Sequence, residues 1–140
     1  MLASLQATHA LAARIATLAR PGDAILLEGP LGAGKSEFAR AFLRAITAKP
    51  DLEVPSPTFT LVQTYDSPRG PIHHLDLWRL NGPAALAELG WDDMAADIVL
   101  VEWPDRLGDL TPPGALTLRL AHRGPESRDC TIHGWPDRLA

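Results

Sequence analysis

The chain of 140 residues carries 13 basic and 17 acidic side chains, a formal charge of −4, and is 46% hydrophobic. That length supports one hydrophobic core, so residues 1–140 read as a single domain, and the acidic balance argues against nucleic-acid binding by this chain alone, leaving binding as part of a complex open. With no apolar run near the roughly 20 residues of a membrane span, no signal-peptide pattern and a lone cysteine, Cys130, the expected setting is a reducing cytoplasm without membrane attachment.

Ser4 caps a predicted helix over Leu5 to Arg20, with Leu11, Ile15 and Leu18 on one face, and Pro21-Gly22-Asp23 stops it. Ala24 to Glu28 reads as a short buried strand. A glycine-rich turn follows, then a helix from Lys35 to Ala48 that places Phe38, Phe42 and Ile46 on one side before Pro50. Val54-Pro55-Ser56-Pro57 excludes regular structure, because its prolines remove donors and force extended geometry. Phe59 to Tyr65 has a strand composition, Asp66 to Pro71 is a turn, and Ile72 to Leu77 is the antiparallel return of a hairpin. A short helix is expected over Pro83 to Leu89, and Ile98 to Val101 is an apolar run suited to a strand buried on both faces. Leu116 to Ala121 and Asp129 to His133 form a final hairpin around His122-Arg123-Gly124. No internal repeat is present. The pattern predicts an α/β domain with a mixed central sheet flanked by helices.

Gly29-Pro30-Leu31-Gly32-Ala33-Gly34-Lys35-Ser36 reads G-x-x-x-x-G-K-[ST] in full. Glycines allow the backbone to curl until successive N–H groups face phosphate oxygens, and the following helix adds its positive dipole end. Lys35 then reaches the β- and γ-phosphates, and the Ser36 hydroxyl holds Mg²⁺. The motif follows a buried strand and opens an amphipathic helix, the context this mechanism requires. A nucleoside triphosphate is therefore the expected ligand. Such a loop works with an acid at the end of an apolar strand, and two positions qualify: Asp76 after Ile72 to Leu75, and Glu102 after Ile98 to Val101. Both are expected to share the metal environment, and which of them ligates Mg²⁺ directly stays open.

His73, His74 and Asp76 together have the look of a zinc cluster. Strand alternation puts His74 and Asp76 on one face and His73, Leu75 and Leu77 on the other, so the two histidines cannot grip one ion. His74 is expected to pack or hydrogen-bond beside the acid.

Four stretches in order resemble the TsaE (YjeE) family of P-loop ATPases, which act in bacterial tRNA threonylcarbamoyladenosine formation. The family's G-D-L-G-A-G-K-T-T is matched by Gly29 to Glu37, and its S-P-T-[FY]-T-L-V by Ser56-Pro57-Thr58-Phe59-Thr60-Leu61-Val62. H-F-D-L-Y-R-L is matched by His74 to Leu80, and [IV]-E-W-P by Val101-Glu102-Trp103-Pro104. Pro30, Glu37 and Trp78 depart from the pattern; Glu37 places negative charge in the first helical turn, near the phosphates. The resemblance implies a P-loop NTPase fold with ATP and Mg²⁺ as cofactors. It implies partnership with TsaD and TsaB in modifying adenosine 37 of tRNA, with tRNA contacted only through that complex.

On this reading Gly29, Gly32, Ala33, Gly34, Lys35, Ser36 and Glu37 line the phosphates. Lys35, Asp76 and Glu102 form the catalytic set, and Ser36, Glu102 and Asp76 the metal set. Thr58 and Thr60 are switch candidates that sense the γ-phosphate. Arg79 and Trp103 are candidate partner or nucleotide contacts, and Thr8 and Arg123 candidates for the adenine and ribose side. Without an evident arginine finger, hydrolysis by the isolated chain should be weak and stimulated by partners. Two rivals differ in chemistry: a small-molecule P-loop kinase, and a nucleotide-gated assembly module without meaningful hydrolysis.

Overall fold

The computed structural model describes residues 5–30, 34–55, 57, 61–78, 80, 83–122 and 128–135. Within it, the AILLE run forms β1 (Ala24–Glu28), with Ala24 to Leu27 all buried, as suits a strand covered on both faces. Helix α1 (Leu5–Leu18) precedes it, and α2 (Lys35–Thr47) follows the glycine-rich turn. Phe38, Ala39, Phe42, Leu43 and Ile46 recur at three- and four-residue steps and give α2 its buried stripe. Ala48, in the left-handed region at φ 58°, ends α2 by returning its N–H to the Ala45 carbonyl at 3.2 Å.

The predicted hairpin is β2 (Val62–Ser67) and β3 (Gly70–Asp76). Its turn is tighter than the predicted Asp66 to Pro71, because the Ser67 hydroxyl donates to the Gly70 carbonyl at 2.7 Å and Gly70 takes φ 98°. In that turn the Arg69 guanidinium donates to the carbonyls of Ala16 and Ala19 at 2.9 and 2.6 Å, tying the hairpin tip to the end of α1. The expected short helix is α3 (Pro83–Glu88) and the expected apolar strand is β4 (Ile98–Glu102), while two further short elements were not expected from sequence: α4 (Trp91–Ala95) and a 3₁₀ segment (Pro104–Leu110) kinked at Gly108. Each buries only two residues, Trp91 and Met94 or Pro104 and Leu107, too few for a readable period. β5 (Leu116–His122) and β6 (Arg128–His133) form the last hairpin.

The strands build one sheet in the order β2-β3-β4-β1-β5-β6. β3, β4, β1 and β5 run parallel, and the outer β2 and β6 are antiparallel to their neighbours, so the sheet is mixed as expected. One face packs Ile25, Leu27, Ile72, Ile98, Leu100 and Leu118 against α1 and α2. The other sets Leu26, Leu75, Val99 and Val101 against residues of α3, α4 and the 3₁₀ segment. Register aligns Leu27, Glu102 and Asp76 across β1, β4 and β3, at the carboxyl ends of parallel strands where open α/β sheets bind ligands. Among the described residues no helix is long and apolar enough to cross a membrane.

Candidate functional site

β1 ends at Glu28, and Gly29 at φ 144° turns the chain out of the sheet. Gly34, at φ 102° and ψ 8°, occupies a conformation costly for other residues and starts α2 by accepting the Phe38 N–H at 3.0 Å. Lys35 is therefore the first residue of α2 and is directed into the protein, 5% exposed. Among the described residues its ammonium has no hydrogen-bond partner; it lies 3.5 Å from the centroid of the Trp103 ring, a cation–π contact. Burial pushes the Lys35 pKa below the ordinary lysine value, outweighing the upward pull of Glu102, Asp76 and Asp105.

Both strand-end acids converge here, buried at 6% exposure for Asp76 and 5% for Glu102. Asp76 Oδ1 accepts the Trp78 N–H at 3.0 Å, and the Asp76 N–H donates to the Leu61 carbonyl at 3.0 Å. Leu61 is itself left-handed, at φ 69°, where the chain enters β2. Glu102 Oε2 accepts from His74 Nε2 at 2.7 Å. His74 is thus hydrogen-bonded beside an acid, but that acid is on the neighbouring strand and not at Asp76. On the opposite face His73 Nε2 bonds Asp97 Oδ2 at 2.9 Å and its Nδ1 meets the Thr64 hydroxyl at 3.0 Å, as strand alternation requires. Trp103, at φ 57°, turns the chain from β4 into the 3₁₀ segment; its ring packs against the exposed Trp78, centroids 4.4 Å apart.

The structure thus gathers Lys35, Asp76, Glu102 and Trp103 around one point. Ser36 is exposed in the first turn of α2. Glu37 bonds His9 Nε2 at 2.7 Å and the Arg40 guanidinium at 3.0 Å; the His9 hydrogen bond, more than Arg40, holds its carboxyl below the usual range. Thr8 is buried in α1, one residue before that contact. Gly32, Ala33, Thr58, Thr60, Arg79 and Arg123 lie outside the described residues. Sequence reasoning missed Asp105, whose charge acts on Lys35 and which, with Glu28, Gly29, Pro30, Trp103 and Pro104, lines a cavity of about 320 Å³. Its signal was its place three residues after Glu102. A larger cleft of about 450 Å³ runs past His9, Glu37 and Arg44 along α2, and neither strand-end acid lines it. Charge convergence, not cleft size, marks the site.

A mixed sheet whose first strand leads through a glycine-rich turn into a helix headed by a buried lysine defines an α/β protein of the P-loop NTPase fold. The sequence model described as "Threonylcarbamoyl adenosine biosynthesis protein TsaE" matches residues 2–130. The chain belongs to the TsaE family, which acts in tRNA threonylcarbamoyladenosine biosynthesis. A relative in Rickettsia prowazekii, named tRNA threonylcarbamoyladenosine biosynthesis protein TsaE, is 34% identical over 115 residues, 81% of this chain and 79% of that protein. One of the same name in Aquifex aeolicus is 36% identical over 107 residues, 76% of each chain. The crystal structure of Bacillus subtilis YdiB superposes with a TM-score of 0.73 at 28% identity, over 96% of this chain and 82% of that one.

Proposed function

We propose that this protein binds ATP with Mg²⁺, hydrolyses it slowly alone, and serves the cytoplasmic machinery that forms N6-threonylcarbamoyladenosine at position 37 of tRNA. TsaD and TsaB are the partners on this reading, and they, not this acidic chain, hold the tRNA. The observation that carries the proposal is Lys35: a buried ammonium with no hydrogen-bond partner among the described residues, at the head of α2 and under the charge of both strand-end acids. An unmet cation there suits a polyphosphate.

The residues also fit the metal. Among the described residues no group of three His, Cys, Asp or Glu side chains could cage an ion unaided. Mg²⁺ needs no such cage, because it is held by one or two carboxylates together with phosphate oxygens and waters. Ser36, Glu102 and Asp76 would hold it, and the bound ion would neutralise charge on the phosphates. The chain's own contributions are positional. Lys35 neutralises phosphate, the first-turn N–H groups of α2 orient it, and the acid not bound to metal orients water.

Two measurements test the proposal. Lys35→Ala should weaken ATP binding at least about a hundredfold, the scale of losing a charge-assisted phosphate contact; unchanged affinity would overturn the nucleotide assignment. Co-purification with TsaB and TsaD should depend on whether ATP or ADP is present. Association indifferent to nucleotide would remove the partner assignment.

A further inference from the structure

That Lys35 has no hydrogen-bond partner among the described residues needs explaining, because three acids act on its charge and Glu102 acts most strongly. In a site shielded from water an ammonium and a carboxylate attract far more than at the surface. Yet Lys35 rests on the Trp103 ring and bonds neither Glu102 nor Asp76. Each acid has another donor: the Trp78 N–H for Asp76 Oδ1, and His74 Nε2–H for Glu102 Oε2. His74 is 2% exposed, and its Nδ1 is buried with no partner among the described residues. A leucine could fill that volume without burying an unsatisfied nitrogen, so the histidine is there for what Nε2 does.

We propose that His74 is a positioning residue that holds the Glu102 carboxylate away from Lys35, keeping the lysine free for phosphate. The histidine sits on β3 and the acid on β4, two register steps apart, so the ring spans the strands and fixes Glu102 from the side. With Oε2 occupied, Oε1 remains for a cation or a water. Without the ring, Glu102 pairs with Lys35, and the phosphate must compete with a tethered carboxylate. The inference rests on the reading of Lys35 as a phosphate ligand, and one arm of its test does not.

The test compares wild type with His74→Leu, His74→Gln and the double variant His74→Leu/Glu102→Gln. ATP affinity is measured in EDTA by displacement of a fluorescent ATP analogue, with thermal melting as the control for folding. If Lys35 is left free in only a tenth of His74→Leu molecules, affinity falls about tenfold. Adding Glu102→Gln removes the competing anion and restores it, which repair of a general packing defect would not do. His74→Gln keeps an N–H donor and stays within about threefold of wild type. Unchanged affinity in His74→Leu, or no recovery in the double variant, overturns the proposal. Should His74→Leu melt too early, His74→Met, which fills similar volume without a donor, takes its place. A crystal structure of the donor-less variant should place a Glu102 oxygen within about 4 Å of Lys35 Nζ. Glu102 left in place with Lys35 still on Trp103 overturns the idea whether or not ATP binds. Wild type that binds no ATP overturns the functional reading alone, and the structural arm then decides for His74.

Discussion

A buried ammonium without a hydrogen-bond partner destabilises the chain that carries it, and among the described residues Lys35 is such a group. Lys35→Met should raise stability at neutral pH by at least about 1 kcal/mol, the lower end for an unsatisfied buried donor. The pH dependence has a definite sign. Burial lowers the folded-state pKa of Lys35 below 10.5, so the cost is full below that folded value and is relieved as pH rises towards 10.5. Melting curves of wild type and Lys35→Met should therefore differ most near neutrality and converge in alkali; a constant gap would place the cost elsewhere. At this scale the sequence was informative about what each residue could do and silent about what it would touch. Strand periodicity put His74 on the Asp76 face, but a single strand carries no record of its neighbour, so the bond to Glu102 was unreadable. Trp103 reads in the sequence as a candidate contact, and its left-handed backbone, which brings the ring to Lys35, has no composition signal.

Elements were legible where they are long and amphipathic or short and wholly apolar. α1, α2, β1 and β4 all fall within two residues of their expected bounds, because burial on one stripe or on both faces leaves a period in the sequence. α4 and the 3₁₀ segment left none, since one turn with two buried residues has no repeat. The joint between α1 and α2 was equally hidden: it passes through His9, Glu37 and Arg40, the middle one being the residue that departs from the family's hydroxyl. The Glu37 pKa is lowered from 4.5, so its stabilising contribution is present above 4.5 and lost as pH falls through the folded value. Glu37→Gln should cost about 0.5–1 kcal/mol at neutral pH, a partly exposed ion pair being worth no more. In acid urea titrations the two proteins should converge; a gap that persists below the folded pKa would show that Glu37 acts through packing instead.

For the molecule as a whole, the mixed sheet followed from two hairpins flanking apolar strands, whereas the strand order did not. β4 inserts between β3 and β1, and β5 crosses to the far side of β1; nothing local encodes which parallel neighbour a buried strand selects. That order is what brings Asp76 and Glu102 side by side. The proposed activity also belongs to this scale, because on that reading the partners complete the catalytic set. ATP turnover should rise at least about tenfold when TsaB and TsaD are added, well below the roughly thousandfold or more that an arginine supplied in trans can add; a steady-state rate indifferent to them would mean the catalytic set is complete within this chain. The hairpin of β2 and β3 adds a mechanical consequence. Arg69 pins its turn to the Ala16 and Ala19 carbonyls at the end of α1, and β3 pairs with β4 from Ile72 to Asp76, so the hairpin is a beam clamped at its turn and along one side. A beam so mounted holds its far end in place, and at that end the Asp76 N–H donates to the Leu61 carbonyl and ties the two arms together. Asp76 is thus presented by a rigid mount and not by a free loop end, beside the equally buried Glu102.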